Sequence, residues 1–482
     1  MRTDIPTYYD RLLQKLKLLQ KLSKLMVSPR LCFAFFLFII IVISLLFTGC
    51  AKRVWNKPIV EKSTAHYDFH NNLPNNSDEV FVVLAFSGGG TRAAALSYGV
   101  LEKLRDTPVT INGVERRLLD EVDVISSVSG GSYTAAYYGL FGDDIFEKFA
   151  PEFLYEDWQS RLIRLAIRPQ SLIAMSSSEY NRGDLVANNL DNSLFQQKTF
   201  ADMSRGKLPY VILNASDLNN AMTFSFTQQQ FDFLCSDLSS YPVANAVMAS
   251  SSVPGIFAPI ALHNFSDCSQ RSQPWVNDAL NQDSHLPRSY AIARALDRYS
   301  QPERMPVVRL VDGGVTDNLG GRGSMLSPVT QYGDVPNMAG AFSPAKLRQV
   351  RQVLVVVANA QTYSEHEWSV ENKDPSFLDT ISAASEVALG TLNNETVSLA
   401  KKEFLQWGEH VNAQRPANAP QVEVHFSVLT FDQVEDKTER AKFDAMPTTF
   451  HLQPEQVDDL RYLGSDLLEQ SKEFQNFRNA LQ

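Results

Sequence analysis

Three short clusters in the 482-residue chain combine a reactive side chain, or a run of peptide N–H groups, with glycines that let the backbone turn sharply. In Ser127-Val128-Ser129-Gly130-Gly131 a serine stands where an apolar run gives way to a helical pattern. An elbow of that kind pushes a hydroxyl out of a sheet, and small neighbours let a carbonyl carbon approach it, the geometry of a serine nucleophile. The common elbow reads G-x-S-x-G; Ser127 replaces its first glycine, small for small, which leaves the steric logic intact. In Asp312-Gly313-Gly314 a carboxylate closes the run Val307 to Val311, and the glycines carry the chain away. The acid then faces the crevice where α/β folds bind ligands, as a candidate proton acceptor. The third cluster, Ser87-Gly88-Gly89-Gly90-Thr91-Arg92, lies between a strand pattern and a helix start, where converging N–H groups and the helix dipole suit an anion. By itself this cluster fits a structural turn or a nucleotide loop as well. Gly88, Gly90 and Ala93 match the dinucleotide spacing, but residues 106–116 do not read as a second strand ending in an acid, and no Gly-Lys-Ser/Thr follows.

The elements that must position these clusters are legible in the hydrophobic pattern. Val80 to Phe86 is a continuous apolar run of strand length, as expected of a central strand buried on both faces, and Ala93 to Arg105 has helical spacing. Val122 to Ser126 reads as a strand and Ser132 to Leu140 as a helix, with Ser127 to Gly131 as the turn between them. Further strands are predicted at Tyr210 to Asn214, Val307 to Val311 and Val353 to Ala358, and helices over 376–401 and 454–480. Val422, Val424, Phe426 and Val428 alternate with polar residues, which predicts a half-exposed strand near an edge. Alternation of strands and helices predicts an α/β fold, a mainly parallel central sheet with helices on both faces. A parallel sheet would gather the three clusters at one edge, each at the C-terminal end of its strand.

In this order and context the three clusters resemble the patatin-like phospholipase family. The likeness runs from about Phe81 to Gly314, and Asn214 to Asp217, Ala249 to Phe257 and Val353 to Gln361 resemble bacterial members. It implies a three-layer α/β/α fold and a Ser-Asp dyad without histidine: Ser129 as nucleophile and Asp312 as proton acceptor. Gly88, Gly89 and Gly90 would form the oxyanion hole, with Arg92 a candidate to orient that loop or attract an anionic lipid head group. Ser127, Gly130, Gly131, Gly313 and Gly314 would support the elbow and the turn. The implied activity is cleavage of phospholipid or lysophospholipid esters through an acyl-enzyme, with no cofactor and no metal. A non-catalytic lipid- or partner-binding envelope lipoprotein on the same fold is the alternative from another class. A rival mechanism, a Ser-His-Asp triad, would draw on His263, His285, His366, His410, His425 or His451, all downstream of Ser129. Trp158, Leu162 and Leu165 share a helical face near Arg161, Arg164 and Arg168, which fits a packed helix or a lid or lipid-surface helix.

Composition bounds the partners. With 44 basic and 54 acidic residues the formal net charge is −10, and no long basic block follows residue 30, so nucleic acid is not an expected partner. Leu31 to Phe47 is uncharged and apolar, seventeen residues long, between a signal-peptide core and a full span. Phe47-Thr48-Gly49-Cys50 resembles a bacterial lipobox, with Phe47 where leucine is usual. The expectation is therefore a signal peptide or anchor over 1–49, a lipidated Cys50 with a tether over 50–78, and a hydrolase domain over 79–482. Within that domain, 79–360 carries the motifs and 361–482 a C-terminal helical and strand portion. Translation from Met1 or from Met26 both fit, the latter giving a compact leader. Such a protein would sit in a bacterial cell envelope, facing the periplasm or in the outer membrane, with membrane lipid as substrate; a single spanning helix is the alternative. Cys235 and Cys268 could pair in an oxidising compartment or remain two separate thiols.

Overall fold

A computed structural model describes residues 17, 53–59, 67, 76–177, 179–203, 208–266, 268, 274–281, 287–322, 349–363, 367–371 and 374–481. Apart from residue 17, the expected leader with Met26, and Cys50 and most of the tether, lie outside these residues. Residues 54–163 and 182–482 belong to one compact unit, which carries the sheet; 164–181 are grouped with 1–53 in a second unit and contain the helix Pro169–Met175.

The main sheet has eight strands: β1 Val80–Phe86, β2 Val122–Val128, β3 Tyr210–Asp217, β4 Met222–Ser225, β5 Ile260–His263, β6 Val307–Asp312, β7 Gln352–Ala358 and β8 Glu423–Leu429. Their order is β8-β7-β1-β2-β3-β6-β5, with β4 paired to β3. From β8 to β3 every neighbour is parallel. Helices flank this sheet in a three-layer α/β/α arrangement. Every residue of β1 and β2 is buried, as strands covered on both faces must be. One of them is a carboxylate: Asp123 accepts the Val82 N–H at 2.8 Å and Asn76 Nδ2 at 3.1 Å, where the β1–β2 register shifts between Val82 and Val83.

The expected parallel gathering of the motifs fails at the third strand. β6 runs antiparallel to β3, so the end of β6 would lie at the opposite edge if the two strands overlapped fully. They overlap only at Leu310, Val311 and Asp312, against Asp217, Ser216 and Ala215. That brief overlap halts β6 beside the ends of its neighbours, where Phe86 pairs with Ser127 and Val128 with Asn214.

The helix α1, Gly90–Arg105, starts at the third glycine, earlier than predicted, and is buried along most of its length. Its cover is α5, Pro454–Gln470. The two helices cross at glycines: a Cβ on Gly99 would stand 2.0 Å from the Arg461 carbonyl, and one on Gly464 would stand 2.3 Å from the Leu96 carbonyl. Arg461 adds an ion pair with Glu102 at 2.9 Å. The C-terminal portion is thus part of the core rather than an appendage. The predicted helix over 376–401 extends as Phe377–Gln414, and the one over 454–480 breaks at Ser471 before Lys472–Ala480. β8 is an edge strand, yet its predicted polar face is not open: His425 and Ser427 are buried, His425 against Phe477 and Ser427 hydrogen-bonded to Ser471 at 2.8 Å. The short helix after the break covers it. Cys235 and Cys268 form a disulfide with Cα atoms 5.5 Å apart. Among the described residues no helix is long and apolar enough to cross a membrane.

Candidate active site

The elbow is tighter than the sequence suggests. β2 continues through Ser127 and Val128, and the helix α2, Gly130–Phe141, begins directly afterwards, leaving Ser129 as the single turning residue. Its backbone has φ 48° and ψ −119°, a region that costs a side-chain-bearing residue about 1–3 kcal/mol and that persists when its surroundings enforce it. Ser250, the last residue of the helix Val243–Ser250, does part of the enforcing. Its Oγ accepts the Ser129 N–H at 2.8 Å and donates to the Asn214 carbonyl at 2.6 Å. Gly130 is required by close approach, since a Cβ there would stand 2.0 Å from the Gly90 carbonyl. Gly131 packs against Phe86 and Ser87, both 2.7 Å from its would-be Cβ. Ser127 fits in place of a glycine because its hydroxyl is satisfied inside the sheet, donating to the Ile212 carbonyl at 3.3 Å and accepting from Ser132 at 3.1 Å.

Ser129 Oγ donates to Asp312 Oδ2 at 2.7 Å, although 183 positions separate them. The other carboxylate oxygen accepts the Gly314 N–H at 2.8 Å, and the Asp312 N–H donates to the Ser252 carbonyl at 3.0 Å. Burial pushes the carboxyl up to about 6, against the lowering effect of its bonds from Ser129 and Gly314; among the described residues no cation pairs with it. A carboxylate raised toward neutrality and bonded to a hydroxyl is suited to take that hydroxyl's proton. Polar side chains at the ends of β2 and β3 dock the loop after Asp312. Ser216 donates to the Gly313 carbonyl at 3.1 Å and Ser126 to the Gly320 carbonyl at 2.8 Å, while a Cβ on Gly313 would stand 2.4 Å from the Asn214 carbonyl.

The three glycines of the first cluster are not equivalent. The Gly88 N–H donates to the Asn318 carbonyl at 3.0 Å, and the Thr91 N–H to the Thr449 carbonyl at 2.9 Å. Between them, at the start of α1, the amides of Gly89 and Gly90 have no acceptor among the described residues. They are the pair free to receive an oxyanion; the amide of Gly88 is engaged. Arg92 is not placed to meet a lipid head group. It is buried and donates to the carbonyls of Ala360 and Met446 and to Thr448 Oγ1, tying α1 to two later segments, and burial lowers its pKa to about 10.

The described histidines stand elsewhere: His263 stacks on Trp55, His410 bonds Gln414, His425 bonds Gln352, and His451 approaches Asp157. None bonds to Ser129 or Asp312, and His285 and His366 lie outside the described residues. No cluster of three or more His, Cys, Asp or Glu side chains able to hold a metal occurs among the described residues. Ser250, Ser252, Asn318 and Thr449 are parts of the site that sequence reasoning did not single out. The serines lie in a segment that resembled the family only as a string, and Thr449 has no local signal at all.

Fold and site together define a class: a three-layer α/β/α protein with a serine, a carboxylate and a glycine-rich helix start meeting at one sheet edge. The chain carries a patatin-like phospholipase domain, since residues 84–320 match the model of that family, described as patatin-like phospholipase. No curated protein matches the sequence. Among solved structures, human GIVD cytosolic phospholipase A2 is 15% identical with a TM-score of 0.40, over 86% of this chain and 61% of that one. The same human enzyme in complex with methyl gamma-linolenyl fluorophosphonate gives 15% identity and a TM-score of 0.38, over 85% and 60%. VipD from Legionella pneumophila gives 12% identity and a TM-score of 0.30, over 89% and 70%. This chain therefore spans about three fifths of the human protein's length.

Proposed function

We propose that this protein hydrolyses ester bonds of phospholipids or lysophospholipids through an acyl-enzyme. The observation that carries the reading is the 2.7 Å bond from Ser129 Oγ to Asp312 Oδ2. Asp312 takes the hydroxyl proton as Ser129 Oγ attacks the ester carbonyl, and the oxyanion forms within reach of the Gly89 and Gly90 amides. Collapse expels the alkoxide, which receives the proton from Asp312. Water then repeats the sequence on the acyl-enzyme, giving up a proton to Asp312 and releasing the fatty acid and the Ser129 hydroxyl. A fluorophosphonate tests this: the expected result is covalent labelling located at Ser129 by mass spectrometry, lost in Ser129→Ala and in Asp312→Ala. Labelling at another serine, or full esterase activity in both variants, would overturn it.

The same reading places the enzyme at a membrane, anchored by the apolar run 31–47 or by a lipidated Cys50. A second feature supports it. Within the unit that holds 164–181, Ile167 and Leu172 are 66% and 55% exposed near Arg164 and Arg168, and the sequence from Trp158 to Ser178 has no acidic residue. Exposed aliphatic residues interleaved with arginines suit an anionic lipid surface, whereas Trp158 of the face read from the sequence is buried. Palmitate incorporation that disappears in Cys50→Ala is the expected result for a lipoprotein; incorporation unchanged by that substitution would show that Cys50 is not the acylated residue, and no incorporation in the wild type would leave the spanning helix as the anchor.

A further inference from the structure

The Asn318 side chain reaches two of the three glycine clusters at once. Its Oδ1 lies 2.3 Å from the point where a Cβ on Gly88 would stand, and Ser129 Cβ lies 3.2 Å from that same point. The same Oδ1 lies 3.0 Å from the point where a Cβ on Gly314 would stand, and so does Asp312 Oδ1. The carboxamide therefore occupies the volume that two missing side chains leave, one beside the nucleophile and one beside its base. The backbone of Asn318 is fixed: its carbonyl takes the Gly88 N–H at 3.0 Å, Asp317 accepts the Leu319 N–H at 3.2 Å, and the Gly320 carbonyl is held by Ser126. Its side chain is half-buried between the two loops.

We infer that Asn318 is a positioning residue, a spacer that sets the separation between the loop carrying the oxyanion donors and the loop carrying Asp312. Asn318 fills the space beside Gly88, and beside Gly314 it shares that space with Asp312 Oδ1. Gly88 has an ordinary backbone conformation, so a methyl group there is admitted only if the Asn318 carboxamide moves aside. This rests on the hydrolase reading for its kinetic part and on geometry alone for its steric part.

The test uses full-length protein purified in detergent, with thermal unfolding, kcat and KM for a soluble p-nitrophenyl ester, and rates of fluorophosphonate labelling. Gly88→Ala should lower the melting temperature and kcat, because the new methyl pushes the Asn318 carboxamide out of its place. Adding Asn318→Ala should restore much of that melting temperature. Asn318→Ala alone should lower kcat by about 10²-fold, the effect expected of reacting groups misplaced by about 1 Å, with KM within twofold. Asn318→Asp keeps the shape but adds a negative charge near Asp312, so the acid limb of its pH–rate profile should move upward. A double variant no more stable than Gly88→Ala would overturn the steric part. An unchanged kcat in Asn318→Ala, or an unmoved acid limb in Asn318→Asp, would overturn the positioning role. If the wild type neither turns over the ester nor labels at Ser129, the hydrolase reading fails and takes the positioning role with it, while the melting temperatures still decide the steric part.

Discussion

Asp312 pairs with Ala215 in antiparallel register, one position beyond the Val128–Asn214 pair of the parallel strands beside it. This single step sets the carboxylate level with the hydroxyl of Ser129, which follows Val128 directly. A longer overlap of β6 with β3 would carry Asp312 toward the opposite edge of the sheet, since each added residue moves a strand end by roughly 3.3 Å. The Ser129–Asp312 hydrogen bond thus depends on where one short antiparallel pairing stops.

The pH dependence of activity follows from burial of Asp312. In the proposed mechanism Asp312 is the base and works only when ionised, and burial pushes its pKa up to about 6. Activity toward a soluble ester should therefore rise with pH through about 6 and level off above it, as a kcat/KM profile would record. A plateau extending down to pH 4 would show that Asp312 is not the titrating base.

Stability should move in the opposite sense to activity. A carboxyl whose folded pKa is raised from 3.8 to about 6 favours the fold while protonated, and that contribution is lost as pH rises through this window. The ionised form costs roughly 3 kcal/mol at neutral pH, an upper figure. Asp312→Asn should be inactive yet more stable than wild type at pH 8 by about 1–3 kcal/mol, and the gain should vanish below pH 4. Urea unfolding at the two pH values measures it; equal stability at both would contradict the burial argument.

Arg92→Ala should destabilise strongly without touching the reacting atoms. It strands the buried carbonyls of Ala360 and Met446, each worth about 1–3 kcal/mol when left unsatisfied. A loss of about 3 kcal/mol or more is expected by denaturant titration, with labelling of the surviving folded fraction retained. Normal stability combined with loss of binding to anionic vesicles would instead restore a head-group role.

Replacing both Cys235 and Cys268 by serine opens a loop with a sequence separation of 33. Loop-closure entropy for that length gives a destabilisation of about 3–4 kcal/mol, readable as a lower midpoint in urea that matches the wild type under reductant. Identical midpoints for oxidised and reduced wild type would show that the bridge contributes nothing to the fold.

Much of the site was legible locally because its chemistry is bound to backbone turns. Ser129 needs small neighbours to round its elbow, Asp312 needs a break after its strand, and Gly89 and Gly90 need freedom at a helix start; all three requirements leave glycines in the string. The apolar runs of β1, β2 and β7 were equally plain, since strands buried on both faces admit few polar residues. Boundaries were less so: Ser127 is polar, yet it belongs to the strand because Ile212 and Ser132 satisfy its hydroxyl from other elements.

The sequence by itself determined which residues could act and on what kind of element each sits, because those depend on neighbours a few positions away. Only the tertiary structure decided the direction of β6, the engagement of the Gly88 amide by Asn318, the enclosure of Arg92 and the cover that α5 and Thr449 lay over the first helix. Each of these joins segments whose separation leaves no periodicity to read. Their cause is packing and hydrogen-bond satisfaction between distant parts of the chain, which come into existence only once the sheet has formed.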